Sequence, residues 1–491
     1  MPLLRCHEES GLDGVWEWTY RRGASPGRAF SKHELLNSSS AFPTAFRFIW
    51  KREGPFLERL VFKRSGEIAD SIFLHPSFWV SSRFPSTARL RERSHASQRP
   101  HIVIGITSPQ SCLILGGRLR TLREAGFRVT LVSSPGALLI RTAAEEGVES
   151  IAIPMRREMA PTADLLSLLR LCRLLWRLKP QITEFSTPKA GLLGSVAAML
   201  CRVPSRVYLL RGLKLETSTG VKRRILLAAE RLASACSHTV LCNSESLRSQ
   251  ALALRVAPAS KLRLLGGGSS NGVDVERFSP GPSSLRGQLG LPPDAPVVGF
   301  VGRLTRDKGL PELVEAFDAI LAAKPQAHLL LVGWFDASED ALSHELRSRI
   351  KNHPRIHMTG YVADTAPYYR AMDVMVLPTW REGFPNVVLE AAASGIPVVT
   401  TLCTGSRDTV VPEVTGLLIP PGYPVAISEA VLKLLGNPER RCRMGEAARA
   451  WVLENYVKGY VLGLTVLCYK SLLERNRSAA TGRVPVAVGS V

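Results

Sequence analysis

The chain has 491 residues, 45% hydrophobic and 21% charged, the proportions of an ordinary globular protein of two or three domains. This excludes a collagenous, coiled-coil or wholly disordered chain, and no run reaches the roughly 18 consecutive apolar residues of a membrane-spanning helix. The formal net charge is +21, and it is uneven: residues 100–290 hold 26 Lys or Arg against 12 Asp or Glu, whereas residues 291–491 hold 21 against 20. The excess in the middle third points to an anionic partner, whether a membrane surface, a lipid phosphate or nucleic acid. Nine scattered cysteines without a CxxC pair read as reduced thiols, not as a disulfide framework or a cysteine zinc site.

Residues 1–99 mix Ser, Arg and Pro with aromatics (Trp16, Trp18, Tyr20, Phe46, Phe48, Trp50, Phe78, Trp79) and show no clear period. We expect this segment to be poorly ordered or weakly packed. Two explanations stay open: a translation start that truly lies further downstream, and a genuine accessory module. The N-terminus lacks the apolar stretch of a secretory signal.

At residue 101 the texture changes. HIVIGIT (101–107) is an apolar run of strand length, residues 116–125 have helical spacing ended by Gly126, and residues 128–132 form a second strand. This is a β-α-β unit. Further strands are expected at 182–185, 206–210 and 239–242, with helices between them. Such alternation implies a parallel sheet covered on both faces. In the apolar segment 164–179, Arg170, Arg173 and Arg177 recur at helical spacing. That pattern suits either a sheet-covering helix with one solvated basic face, the reading we favour, or a membrane-surface helix.

A Gly/Ser stretch (266–272) and a Pro/Gly run (279–284) then read as an interdomain linker. Asn271-Gly272 favours a turn at that junction. A second α/β series follows, with strands at 297–301, 328–332, 356–358, 374–377 and 398–400. Residues 438–475 read as helix. The organisation is therefore an N-terminal extension (1–99), a first doubly wound domain (100–280), a second (281–455), a C-terminal helix crossing back (456–477) and a loose tail (478–491). Ligands of such sheets bind at the carboxyl ends of the strands.

The chemistry concentrates in the second domain. The strand at 297–301 runs into GRLTRDKG (302–309), which puts Arg303 and Lys308 on a loop before a helix at 310–323. A planar fork and a point charge together suit a diphosphate. The strand at 374–377 runs into REGFPNVVLE (381–390). Pro385 suits a first helical turn and Gly395 the far end. Glu382 falls just before that helix and Glu390 inside it. Free N–H groups at the helix start favour an anion, and two carboxylates can grip a polyhydroxylated ligand at two points.

These segments carry a resemblance. FVGRLTRDKG, HMTGYV, REGFPNVVLEAAASGIPVV, GSRD and VTGLLIPP occur in the order found in glycosyltransferase family 4, the group 1 glycosyl transferases. STPKAGLLG (186–194), RGLKLET (211–217) and GSSNGVD (268–274) resemble that family's bacterial capsular, exopolysaccharide and O-antigen branch. The resemblance covers about residues 101–469. It implies a GT-B fold, with two Rossmann-like domains facing a cleft, and retaining transfer from a nucleotide-diphosphate sugar, here a UDP-sugar. It implies no cofactor and no metal at the diphosphate, and the chain has no D-x-D triplet. Arg303 and Lys308 would bind the diphosphate and stabilise the leaving nucleotide. Glu382, with Gly383, Phe384, Pro385 and Asn386, would hold the sugar, and Glu390 the ribose. Tyr361 and Val362 would flank the base, and Gly116 and Gly117 would let the opposing backbone approach the phosphates.

One departure from the family matters. Many members carry a histidine near the donor sugar in the first domain, and here neither His101 nor His238 fits that role. No general base is assigned. Arg211 lies where such a residue would be. With Lys189 and Lys214 it is a candidate for the acceptor side. The basic middle domain and the resembled branch together lead us to expect a lipid-linked saccharide acceptor and an enzyme peripheral to the cytoplasmic face of the plasma membrane. A soluble acceptor is the alternative. A nucleic-acid-binding protein would need a recognised module and a nicotinamide oxidoreductase would need G-x-G-x-x-G after a first strand. Neither feature is present.

Overall fold

The computed structural model describes residues 99–481 except Arg157, and the backbone of four strands nearer the N-terminus. Residues 1–97 and 98–491 form two compact units. In the first unit, β1 (Trp16–Tyr20), β2 (Phe46–Arg52), β3 (Glu58–Arg64) and β4 (Glu67–Leu74) pair antiparallel in chain order. Trp16, Trp18 and Tyr20 register opposite Trp50, Phe48 and Phe46. Contrary to the absence of a period expected for this segment, aromatics alternate every second residue in these two strands, the period of a strand. The rest of residues 1–98 lies outside the described residues, as does the expected loose tail (478–491) from 482 onward; residues 478–481 are not tail but the last turn of the helix Lys458–Thr481.

The second unit contains two wholly parallel sheets. The first is built from β5 (His101–Gly105), β6 (Arg128–Ser133), β7 (Glu149–Ala152), β8 (Ile182–Ser186), β9 (Ser205–Leu210), β10 (Thr239–Cys242) and β11 (Leu262–Leu264), in the order β11-β10-β9-β8-β5-β6-β7. The second is built from β12 (Val297–Val301), β13 (His328–Val332), β14 (Ile356–Met358), β15 (Val374–Leu377), β16 (Val398–Thr401) and β17 (Gly416–Ile419), in the order β14-β13-β12-β15-β16-β17. In each sheet the order reverses beside the first strand, β5 or β12, and such switch points open a crevice at the strand ends.

Burial explains why these runs are strands. All five residues of β5 are buried. Ile102 and Ile104 pack with Leu119 and Leu122 on one face, and Val103 packs with Leu171, Leu175 and Phe185 on the other. In the second domain, Leu310, Leu313, Val314, Phe317 and Ile320 are all buried, the spacing of one apolar helix stripe. Pro in its first turn starts that helix, Leu310–Ala323.

The chain crosses between the domains twice, and the two crossings pair. Val273 N donates to Tyr456 O at 2.8 Å, and Lys458 N donates to Val273 O at 2.9 Å. Gly272, at φ +64°, supplies the expected turn beside them. The helix expected as one run is therefore two, Pro438–Asn455 and Lys458–Thr481, because Tyr456 and Val457 are used in the pairing. The second of these helices returns to the first domain, where Tyr469 and Leu472 join its core. Arg118, only 2% exposed, forms an ion pair with Glu184 of β8 and donates to Ser270 O (2.8 Å) and to Tyr469 Oη (3.1 Å). One guanidinium thus ties together a helix, a strand, the linker and the returning helix.

Candidate active site

Three loops of the second domain converge at the carboxyl ends of β12, β13 and β15. The loop after β12 carries Arg303, Asp307 and Lys308. Gly309, at φ +73°, closes it, and a Cβ there would lie 2.0 Å from Pro378 O, so only glycine fits. The loop after β15 carries Arg381 and Glu382, and the loop after β13 carries Asp336.

Each cation meets a carboxylate. Arg303 Nη1 donates to Asp336 Oδ2 at 2.7 Å. Lys308 Nζ pairs with Glu382 Oε1. Arg381 Nη2 donates to Asp307 Oδ2 at 2.9 Å. Burial works against the charge on Arg303, but the Asp336 hydrogen bond and the charges of Asp307, Asp336 and Glu382 outweigh it and hold its pKa above the usual value. Burial likewise opposes ionisation of Asp307, and is outweighed mainly by Lys308 and the Thr305 hydroxyl, so its carboxyl lies below the usual range. Asp336, Asp307 and Arg381 were not singled out from sequence. Asp307 lies inside the quoted GRLTRDKG motif and Arg381 directly precedes Glu382, but nothing local marks Asp336, 33 residues from its partner.

Glu390 lies apart from these pairs. In the helix Asn386–Ala393 it accepts from Tyr369 Oη at 2.9 Å. Burial raises its pKa, against the Tyr369 bond, and the charges acting on it are Arg277 and Asp364, not Arg303 or Lys308. No side chain caps this helix: Pro385 precedes it, and Asn386 Oδ1 instead accepts from Ser269 Oγ of the first domain at 3.1 Å. Phe384 is buried against Tyr456, ring centroids 5.4 Å apart, and so anchors the loop. Tyr361 is 55% exposed, with its ring edge-on to Trp334 at 5.5 Å, whereas Val362 packs towards the core.

The first domain meets this loop backbone to backbone. A Cβ on Gly383 would lie 1.7 Å from Arg211 O, so no larger residue fits there. Arg211 Nη1 donates to Ser270 Oγ at 2.8 Å, while its buried Nε and Nη2 have no hydrogen-bond partner. Burial, with Arg118 nearby, lowers its pKa to about 10. The other acceptor-side candidates are already engaged. Lys189 is held by both oxygens of Asp164 at 2.8 Å, and Lys214 pairs with Glu339 of the second domain at 3.1 Å. Gly117 N donates to Glu146 Oε1 at 2.8 Å and Arg120 N to Glu146 Oε2 at 2.8 Å. The helix start behind Gly116 and Gly117 is thus capped by a carboxylate. His101 bonds Thr130 at 2.8 Å and His238 bonds the Arg206 backbone, both within the sheet. Among the described residues no three His, Cys, Asp or Glu side chains cluster as a metal site would.

Two family models match the chain: "Glycosyl transferase 4-like domain" over residues 116–268, and "Glycosyl transferases group 1" over residues 295–437. The capsular polysaccharide biosynthesis glycosyltransferase CapM of Staphylococcus aureus is 36% identical over 345 residues, 70% of this chain and 90% of that protein. The chain belongs to the group 1 glycosyl transferases. It is a glycosyltransferase of the GT-B fold. A second relative is the Escherichia coli UDP-Gal:alpha-D-GlcNAc-diphosphoundecaprenol alpha-1,3-galactosyltransferase, 27% identical over 56% of this chain and 72% of its own. Among solved structures, Anabaena HepE in complex with UDP-glucose superposes with a TM-score of 0.63 at 19% identity, over 76% of this chain and 99% of its own. Sucrose-phosphate synthase of Thermosynechococcus elongatus gives 0.64 at 22%, over 77% and 100%.

Proposed function

We propose that this group 1 glycosyl transferase takes a sugar from a UDP-sugar donor, with retention, and adds it to a lipid-linked saccharide in cell-surface polysaccharide synthesis at the cytoplasmic face of the membrane. The observation that carries the donor half is the convergence of Arg303, Lys308 and Glu382 beside the uncapped start of the helix Asn386–Ala393. Departure of a nucleoside diphosphate builds negative charge on its phosphate oxygens, and fixed cations and helix N–H groups lower that barrier. In this reading Lys308 turns from Glu382 to the phosphate, freeing the Glu382 carboxylate to accept from sugar hydroxyls. Arg303, steered by Asp336, takes the second contact. Gly383, Phe384, Pro385 and Asn386 shape the sugar pocket by their backbone. Glu390, beside Tyr369, holds the ribose. Tyr361 flanks the base, and Val362 supports it from the core side.

The acceptor half is supported by the two relatives, whose names specify capsular polysaccharide and a diphosphoundecaprenol-linked sugar, by the net +14 of residues 100–290, and by the buried guanidinium of Arg211, whose Nε and Nη2 have no hydrogen-bond partner. No helix of the described residues is long and apolar enough to cross a membrane. The test is turnover of UDP-sugars on an undecaprenyl-diphosphate-linked saccharide by the full chain, alongside Arg303→Ala and Glu382→Ala. The reading requires turnover by the wild type and its loss in both variants. Unchanged turnover and UDP binding in both would sink the donor assignment.

A further inference from the structure

The helix Pro161–Leu178 covers the first sheet through Ser167, Leu171, Leu174 and Leu175, all buried. Its outer side carries more than the one solvated basic face favoured from sequence. Leu165 is 58% exposed, Leu169 57% and Trp176 73%. Spaced by four and seven residues, these fall on one line along the helix. Leu166, 54% exposed, lies beside that line among Arg170, Arg173 and Arg177, which are all exposed. Among the described residues none of the three arginines has an ion-pair partner. The helix's one acid, Asp164, is committed to Lys189 on the inner side. The neighbouring helix Pro188–Leu200 extends the apolar line: Cys201 Sγ donates to Cys172 O at 3.3 Å, bringing exposed Met199 and Leu200 alongside.

We infer that this face is the surface on which the enzyme docks to an anionic lipid bilayer. Water solvates arginines well but gains nothing from three leucines and a tryptophan held outward. A protein partner could cover the apolar row, but a row flanked by three unneutralised guanidinium groups matches the chemistry of a headgroup layer: apolar side chains enter the acyl boundary, Trp seats at the interface and Arg meets lipid phosphate. The helix lies flat on its sheet, so it rests on the bilayer without spanning it. The inference deepens the membrane half of the proposed function and rests on it.

The experiment is flotation of the full chain with phosphatidylcholine vesicles and with vesicles about one-third phosphatidylglycerol, at physiological salt. Arg170→Gln/Arg173→Gln/Arg177→Gln is expected to weaken binding to the anionic vesicles about a hundredfold and to leave binding to neutral ones unchanged. Leu169→Gln/Trp176→Gln is expected to weaken both at least about tenfold. Melting temperature and UDP-sugar binding should not move in either variant, which separates docking from misfolding. Wild-type flotation matched by both variants would overturn this face while leaving the membrane reading intact. Failure of the wild type to float on either vesicle would overturn both. A dimer in solution dispersed by Leu169→Gln/Trp176→Gln would assign the face to a second copy and overturn the inference.

Discussion

In the proposed site Lys308 has two partners to choose between, Glu382 and the donor phosphate. Without donor it rests on Glu382, both side chains 16% exposed. A phosphate offers it a stronger, more highly charged acceptor, and a charge-assisted bond of this kind contributes about 1.5–3 kcal/mol. Lys308→Ala should therefore lower kcat/KM by about one to two powers of ten, read from steady-state UDP-sugar turnover, with the fold unchanged by circular dichroism. Among the described residues Asp336 hydrogen-bonds with Arg303 and its own loop, so in the proposed site it acts by positioning Arg303. Asp336→Ala should raise the donor KM more than it lowers kcat, and Asp336→Asn, which keeps an acceptor oxygen, should recover most of the loss. Equal loss of kcat in both variants would refute that role. The places of Arg303, Lys308, Glu382 and Glu390 in the fold were legible in the sequence because each sits at a fixed offset from a strand end or a helix start. Asp336 and Tyr369 were not, because their partners are distant in sequence and only the fold brings them together.

The helix Gly220–Cys236 lies on β9 through one buried polar contact. Tyr208 Oη of β9 donates to Glu230 Oε2 at 2.7 Å, with Glu230 6% exposed. Burial, partly offset by the Tyr208 bond, raises the Glu230 pKa to about 7. A carboxyl raised in the folded state gives stability that is fully present below its unfolded value, near 4.5, and lost as pH rises through about 7. Glu230→Gln keeps the acceptor and removes the titration. It should leave the denaturation midpoint unchanged near pH 4.5 and stabilise the protein above pH 7, by on the order of 3 kcal/mol for so large a shift. A variant that tracks the wild type at every pH would show that Glu230 does not titrate in this range. This helix and its strand were readable in advance, since apolar runs bounded by turns set them. The edge strands β7, β11 and β17 were not. Glu149, Ser150 and Ala152 of β7 are largely exposed, and β11 is three residues long, so neither has an apolar run to advertise it. The boundary at 455/456 was placed from sequence, but its cause was hidden, because Val273, nearly two hundred residues away, imposes the break.

Across the molecule, the two doubly wound domains meet through polar ties. Arg381 Nε donates to Thr217 Oγ1 at 2.9 Å, Thr404 Oγ1 to Glu216 Oε1 at 2.6 Å, and Ser246 Oγ to Asp408 Oδ2 at 2.6 Å. Interfaces of this character permit relative domain motion, and the paired crossing at Val273 and Tyr456 is where such a motion is expected to pivot. At the mouth of the cleft, Glu339 of the second domain pairs with Lys214 and Lys222 of the first. The two lysines hold its pKa down to about 2, so this latch stays charged at any working pH. The three side chains are 37%, 38% and 59% exposed, and exposed pairs of this kind add almost nothing to global stability. An effect is expected instead on how far the two domains open, where small differences in energy shift populations. Glu339→Lys places three like charges together. It should widen the cleft, raising the radius of gyration in small-angle scattering of the donor-free protein and the donor KM, while the melting temperature stays near that of the wild type. Because salt screens charges at this range, both effects should shrink as ionic strength rises from about 0.01 M to about 1 M. A KM defect independent of salt would mean that the substitution acts by distorting the loop after β13, which also carries Asp336, and not by opening the cleft.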